Sequence, residues 1–392
     1  MKMALALEGI RIIDMAWLGP GPFCANMLGD LGADVIKVYE AHPERRGGPV
    51  MFLFDPAMQP GFRNCRAIGL NLKAEEGRNI FYHLAKSADV VMEGFRPGVV
   101  KRLGVDYDTI KEINPRVVYA SLTGYGQDGP YRDLVGHDIN YISIGGLLGM
   151  TGPADGAPVI PGTVIADFAA GGMSSAIGIL AALMARERTG RGQFVDMSMT
   201  DAVVEATSIQ ISPYLYNRMV PERGKTMFTG HYPWYNVYQT KDKKYISIGV
   251  LEPWFFTNLC ELLGCERFIE HQFAEGEKRE EIFNHFRETF LTKTRDEWVA
   301  LLRQKDTCVA PVYDIDELES DPQLTARRMI IEADHPTMGR VRQVGSMHKL
   351  SDSPVEVRNW CTRFGQHTEE IMLELGYDKA RIDELFKAEV IG

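Results

Sequence analysis

Three proton-handling side chains stand out by the residues around them. His137 lies in Gly136-His137-Asp138-Ile139-Asn140-Tyr141, Asp167 in Ala166-Asp167-Phe168, and Glu252 in Leu251-Glu252-Pro253. An imidazole titrating near ~6.5 can take up or release a proton at neutral pH. Opposite a carboxyl, across a bound substrate, it could remove a proton from one face of a carbon while the carboxyl returns one to the other. A second carboxylate could fix the tautomer of the ring, as the orienting acid does in hydrolase triads. Each residue also has an ordinary use. His137 can hydrogen-bond its own turn, Asp167 can cap a helix, and Glu252 can sit in a helix's first turn ahead of Pro253.

The elements that would position these groups follow from hydrophobic periodicity. Ile10–Met15 and Asp34–Tyr39 read as strands around a helix at Pro22–Leu31. Glu75–Ser87 reads as an amphipathic helix, and Asp89–Glu93 and Val117–Leu122 as further strands bounded by Gly-Pro and Asn-Pro punctuation. Such alternation predicts an α/β fold, a Rossmann-like parallel sheet with helices on both faces. Val164-Ile165-Ala166 reads as a strand, with Asp167 capping a helix that begins near Ala169. That position would put a carboxylate at the strand–helix crevice where open α/β sheets bind ligands, and helix-start N–H groups could receive a developing oxyanion. Trp234–Thr240 and Lys244–Val250 predict an antiparallel pair, followed by helices near 277–291 and 294–304.

The 392 residues are therefore divided into a large domain (1–216), a linker (217–229), a smaller α+β domain (230–312), a return linker (313–345) and a C-terminal segment (346–392) that completes the large domain. A net charge of −10 argues against a nucleic-acid surface, though not against a local basic pocket. Lys37, Arg45, Arg46, Arg63, Arg66, Arg96, Lys101 and Arg102 lie among Gly-rich turns and could serve a phosphorylated ligand. Six cysteines without a CxxC pair predict reduced thiols, a cytoplasmic setting and no metal site. The most apolar run, Met173–Met184, is about half a bilayer span, so no membrane association is expected. Gly19-Pro20-Gly21-Pro22 lacks the dinucleotide fingerprint, and there is no Walker A, GxSxG or HExxH motif.

In order and wording the motifs resemble the class III CoA-transferase superfamily. The resemblance rests on Leu7–Ile12, Gly32–Val38, Glu93-Gly94-Phe95-Arg96-Pro97-Gly98, Thr123-Gly124-Tyr125-Gly126-Gln127 and Thr189–Gln193. Within it, the intact Gly136–Tyr141 phrase, Leu251-Glu252-Pro253 and Asp306–Val312 resemble the alpha-methylacyl-CoA racemase branch. That branch implies His137 and Asp167 as the two acid/bases, with Glu252 orienting His137. The transferase branch implies Asp167 as an acyl-accepting nucleophile instead. The resemblance implies coenzyme A, as part of an acyl-CoA thioester and not as a separate cofactor, lying on the large domain. Arg96 and Arg102 would stand near its phosphates and Glu93, Gly94 and Phe95 along its path. Lys37, Arg63, Arg66, Tyr125 and Gly126 would also be on its binding side, with Asp138 and Tyr141 as supports. Phe62-Arg63-Asn64-Cys65-Arg66 departs from the family's usual Asn-Arg-Asn-Lys-Arg type of phrase, on the adenine side. An interlocked homodimer, or a heteromer with a paralogous subunit, is the implied assembly.

Overall fold

The computed structural model describes residues 4–43 and 62–392. The chain forms two compact units. The first comprises Met1–Gly146, Pro161–Thr207 and Arg327–Gly392, and the second Leu147–Ile160 and Ser208–Ala326.

The first unit is built on six parallel strands: β1 (Arg11–Asp14), β2 (Asp34–Tyr39), β3 (Cys65–Gly69), β4 (Val90–Glu93), β5 (Val118–Thr123) and β6 (Phe194–Ser198). Their order across the sheet is β3-β2-β1-β4-β5-β6. The strand order reverses direction between β1 and β4, and a doubly wound sheet opens its ligand crevice at the carboxyl ends beside such a point. β1, β2, β4 and β5 each carry a buried apolar stretch (Ile12-Ile13, Val35-Ile36, Val90-Val91-Met92 and Val118-Tyr119-Ala120), as strands covered on both faces do. Ile13, Ile36, Val91 and Tyr119 pack on one side with Ile80, Phe81 and Leu84, and Ile12, Val35, Val90 and Val118 on the other with Leu28 and Ile179. The C-terminal segment closes the first of these cores through Ile371, Met372, Ile382 and Leu385.

β3 has no counterpart in the sequence reading, and Val164-Ile165-Ala166 is not a strand. Residues Ile165–Met173 form a wide π-type helical segment that runs directly into the helix Ser174–Thr189. Together they make a 25-residue helix whose most apolar 18-residue stretch has a mean hydropathy of 1.7, long and apolar enough to cross a membrane by length and composition. It packs along β5, β6 and the helix Pro20–Asp30. The run Met173–Met184 is thus part of a longer apolar helix than expected.

The second unit carries an antiparallel sheet of β7 (Tyr235–Gln239), β8 (Tyr245–Gly249) and β9 (Val309–Val312), β8 in the centre. Trp234, Phe256, Phe268, Phe286 and Phe290 fill its core against the helices Pro253–Leu263, Gly276–Phe290 and Arg295–Leu302. Residues 217–229 are anchored within this unit: the Arg223 guanidinium donates to the carbonyls of Gly149 (3.0 Å), Pro153 (3.1 Å) and Gly156. Residues 313–345, expected as a linker, contain a 3₁₀ turn (Ile315–Ser320), a short helix (Pro322–Ala326) and, in the first unit, a hairpin of β10 (Ile330–His335) and β11 (Gly339–Val344).

Candidate active site

Beyond the carboxyl ends of β4 and β5 the first unit opens into a cleft of about 630 Å³. One wall is Gly94-Phe95-Arg96-Pro97, which leaves β4. A second is Leu122-Thr123-Gly124-Tyr125, which leaves β5. The third is formed by Arg132, Leu134, Val135, Gly136, His137, Asn140 and Tyr141. His137 is exposed and extended (φ −129°, ψ 176°) at the N-terminal boundary of the helix Asp138–Ile144. Its N–H donates to Asn140 Oδ1 (3.0 Å) and its carbonyl accepts the Asn140 N–H (2.8 Å), so the backbone is pinned from both sides. Tyr141 braces this turn. Its hydroxyl donates to the Gly136 carbonyl (2.5 Å) and its ring meets Tyr125 edge to face at 5.2 Å. Glycine is needed on both flanks of that ring: a Cβ at Gly124 would lie 2.2 Å from it and one at Gly136 2.7 Å. Burial pushes the Tyr141 hydroxyl up to about 12, keeping it a donor.

Asp167 stands in the first turn of the π-type segment, not at a cap. Glycines let this segment press against the helix Pro20–Asp30. A Cβ at Gly172 would come within 2.8 Å of Phe23 and 3.1 Å of the Pro20 carbonyl. The Phe168 ring stacks on Phe23 at 4.8 Å. The Asp167 carboxyl rests over Gly19 (φ +62°), where a Cβ would sit 2.6 Å from Oδ2. Burial, then the negative charge of Asp138, pushes the Asp167 carboxyl up to about 6, and His137 pulls it down. Asp138 is buried and its Oδ1 accepts the Asp167 N–H (3.1 Å). The two turns carrying His137 and Asp167 are thereby tied together. This bond corrects one expectation: the Asp167 N–H is already engaged, and the Phe168 N–H donates to the Val164 carbonyl (3.1 Å). Neither is an idle oxyanion donor.

Of the residues assigned to the ligand's path, Gly94, Phe95, Arg96 and Tyr125 line the cleft. Arg102 is exposed on the helix Val99–Leu103, while Gly126 is buried with its N–H on Thr123 Oγ1 (3.0 Å). Glu93 is a correction. It is 1% exposed, receives the Phe95 N–H (2.7 Å) and the Ser121 hydroxyl, and is pushed up to about 7 by burial against the pull of those bonds. It holds the loop's shape from behind. Three cations expected at the ligand surface are likewise engaged by the protein's own acids, two of them in the interior and Arg66 nearer the surface. Lys37 is buried in an ion pair with Asp14 (2.6 Å). Arg63 is buried with Nε and Nη2 on Asp30 and Nη1 on Gln343 and the Val344 carbonyl. Arg66 bridges Asp34, Glu370 and Glu374. Arg45 and Arg46 lie outside the described residues.

Two features escaped the sequence reading. A narrow slot of about 60 Å³ opens at the carboxyl ends of β1, β2 and β3, lined by Met15, Trp17, Tyr39, Leu72 and Lys73. Phe95 lines both the slot and the larger cleft. The rule that ligands bind at strand carboxyl ends beside the switch point would have pointed there. The second is Arg132, which no motif marked.

Glu252 belongs to the second unit. It precedes Pro253 at the start of the helix Pro253–Leu263, half-buried, its carbonyl accepting the N–H groups of Phe255 (3.0 Å) and Phe256 (3.1 Å). Its carboxyl makes no capping bond, so it is not consumed by the helix. Among the described residues no group of three or more His, Cys, Asp or Glu could hold a metal ion.

The family model described as CoA-transferase family III matches residues 7–368. An acyl-CoA transferase of Fusarium pseudograminearum is 35% identical over 96% of this chain and 86% of its own length. Human alpha-methylacyl-CoA racemase is 32% identical over 99% of this chain and 98% of its own. A crystal structure of a CaiB/BaiF family protein from Brucella suis superposes with a TM-score of 0.80 at 30% identity, covering 95% of this chain and all of that one. By sequence and by fold alike, the chain belongs to CoA-transferase family III.

Proposed function

We propose that the protein inverts the α-carbon of a 2-methylacyl-CoA by removing a proton from one face of that carbon and delivering another to the opposite face. Neutral His137 takes the α-proton, leaving an enolate whose charge is shared with the thioester oxygen. Protonated Asp167 then delivers a proton to the opposite face, and the reverse direction exchanges the roles. The observation that carries this reading is the hydrogen bond from the Asp167 N–H to Asp138 Oδ1 (3.1 Å), which ties the turn of Asp167 to the turn of His137, with burial pushing the Asp167 carboxyl upward. Because the Asp167 N–H is held by Asp138, the enolate oxygen must draw on another donor.

In this reading the acyl end occupies the cleft at His137. The CoA moiety runs past Phe95 toward the slot at Trp17 and Tyr39, where an aromatic-edged space suits a purine. The active form is a homodimer. The helix Ser208–Asn217 buries none of its residues and leaves Ile209, Leu215 and Tyr216 exposed, and the helix Ser174–Thr189 exposes Ile177 and Met184. Apolar surface of this kind calls for a second copy. Glu252 of that second copy orients the His137 ring.

A second reading has support in the Fusarium relative, whose name is that of a transferase. There Asp167 attacks the acyl-CoA carbonyl and expels the CoA thiolate, giving an acyl-aspartyl anhydride. Incubating the protein with a 2-methylacyl-CoA in heavy water, without any acceptor acid, separates the two. Deuterium at the α-carbon is the expected result. No exchange, together with CoA transfer to an added carboxylate, would replace the racemase reading with the transferase one.

A further inference from the structure

An enolate needs a hydrogen-bond donor on its oxygen as charge moves there, and the N–H groups of Asp167 and Phe168 are spent on Asp138 and on the Val164 carbonyl. That oxygen and the α-carbon are bonded to the same carbonyl carbon, so the donor belongs beside the base, next to His137. The Tyr141 hydroxyl is spent as well, on the Gly136 carbonyl (2.5 Å). Asn140 is placed there by the turn itself. It is the third residue of the helix Asp138–Ile144, a position from which a side chain reaches back to the N–H of the residue before the helix. Its Oδ1 accepts the His137 N–H (3.0 Å), and its own N–H donates to the His137 carbonyl (2.8 Å). A backbone N–H only donates, so the atom that faces it is the amide oxygen. The other end of the planar amide is then an NH2 group with two donor hydrogens. Asn140 is exposed on the lining of the cleft, and Nδ2 makes no hydrogen bond among the described residues. One end of this side chain fixes the turn that carries the imidazole while the other stays idle. A neutral donor binds more strongly as the carbonyl oxygen becomes an anion, and it adds no positive charge beside an imidazole that must accept a proton.

We propose that Asn140 Nδ2 donates to the thioester oxygen of the substrate and holds it as the enolate forms, a catalytic role in the proton transfer assigned above to His137 and Asp167. The inference rests on that reading and supplies the donor it lacks. The Tyr125 hydroxyl is the competing donor: it lines the cleft, a Cβ at Gly136 would lie 3.1 Å from it, and it has no hydrogen-bond partner among the described residues. The experiment separates the two.

Exchange of the α-proton of a 2-methylacyl-CoA for deuterium in heavy water is measured for the wild type, Asn140→Asp, Asn140→Ala and Tyr125→Phe, with circular dichroism to establish folding. Aspartate keeps an oxygen for the His137 N–H and has no NH2, whereas alanine has neither. Rates are taken at the maximum of each pH–rate profile, so that the charge added by aspartate is not read as a lost donor. We expect both Asn140 variants to lose about a hundredfold in kcat with KM little changed, and Tyr125→Phe to stay within about threefold of the wild type. The infrared C=O stretch of the same substrate, isotopically labelled at the thioester carbonyl, should lie lower on the wild type than on Asn140→Asp, a difference that a residue holding only the turn would not produce. Exchange by Asn140→Asp at the wild-type rate, or an unmoved carbonyl band, overturns the inference and leaves Asn140 as a cap. Loss in Tyr125→Phe with Asn140→Asp unaffected gives the oxygen to Tyr125 and overturns it equally. A wild type that exchanges nothing overturns the racemase reading and this inference with it.

Discussion

Replacing Asp167 by asparagine should abolish proton transfer and yet stabilise the protein at neutral pH. The carboxyl is raised from the ordinary 3.8 to about 6, chiefly by burial and then by Asp138. Holding it as an anion at pH 7.5 therefore costs the folded state at most about 3 kcal/mol. The group is only partly enclosed, so solvent screening brings the expected figure to about 1–2 kcal/mol. The folded chain binds this proton more tightly than the unfolded chain. Its contribution is thus most favourable below 3.8, declines between 3.8 and about 6, and is lost above that. The asparagine amide carries no charge at any pH. The variant should melt roughly 1–4 °C above the wild type at pH 7.5, and the gap should shrink steadily toward pH 4.5. Thermal unfolding at fixed protein concentration, repeated at half-unit intervals of pH, measures this. A variant no more stable than the wild type at pH 7.5, or a gap independent of pH, would refute the reasoning.

Asp138→Asn keeps an oxygen for the Asp167 N–H while removing the charge that helps raise Asp167. The limb of the pH–rate profile belonging to Asp167 should move to lower pH, which steady-state rates between pH 4.5 and 8 would reveal. Arg63→Ala strands Asp30 in the interior and should cost about 3–5 kcal/mol in urea unfolding, with CoA affinity of the folded fraction unchanged. Glu93→Ala leaves the Ser121 hydroxyl and the Phe95 N–H without their acceptor. It should destabilise by about 2–4 kcal/mol and raise KM for acyl-CoA, and Glu93→Gln should recover part of both.

Much of the first unit could be read ahead of the structure because its strands are short apolar runs with clear punctuation. Asp34–Tyr39 is a strand to the residue. Glu75–Lys86 is the amphipathic helix its periodicity predicts, buried through Ile80, Phe81, Leu84 and Ala85. β3 escaped because Cys65-Arg66-Ala67-Ile68-Gly69 has a single β-branched residue and closes on glycine. Val164-Ile165-Ala166 misled for a related reason: three apolar residues fit a strand or a helix equally well, and periodicity cannot decide over so short a span. The fates of Lys37 and Arg63 lay beyond local pattern. Their acids, Asp14 and Asp30, are 23 and 33 positions away, and only the tertiary fold brings them together. The motifs did single out His137, Asp138 and Asp167; the folded chain ties their two turns together, with His137 on the lining of the cleft and Asp167 not among its lining residues. The bond from Asp138 to the Asp167 backbone had no local signature.

The loosened helical turn beneath Asp167 sets backbone comfort against aim. Ordinary α-helix would hydrogen-bond Ile165–Met173 better, and removing one residue from that stretch would allow it. Such a deletion would rotate the carboxyl by about 100° about the helix axis relative to Ser174–Thr189, away from its seat over Gly19. A shortened chain with a tidier helix should therefore resist unfolding better than its parent and catalyse nothing. Extra width in one turn is how this fold holds a carboxylate where a regular helix would not carry it.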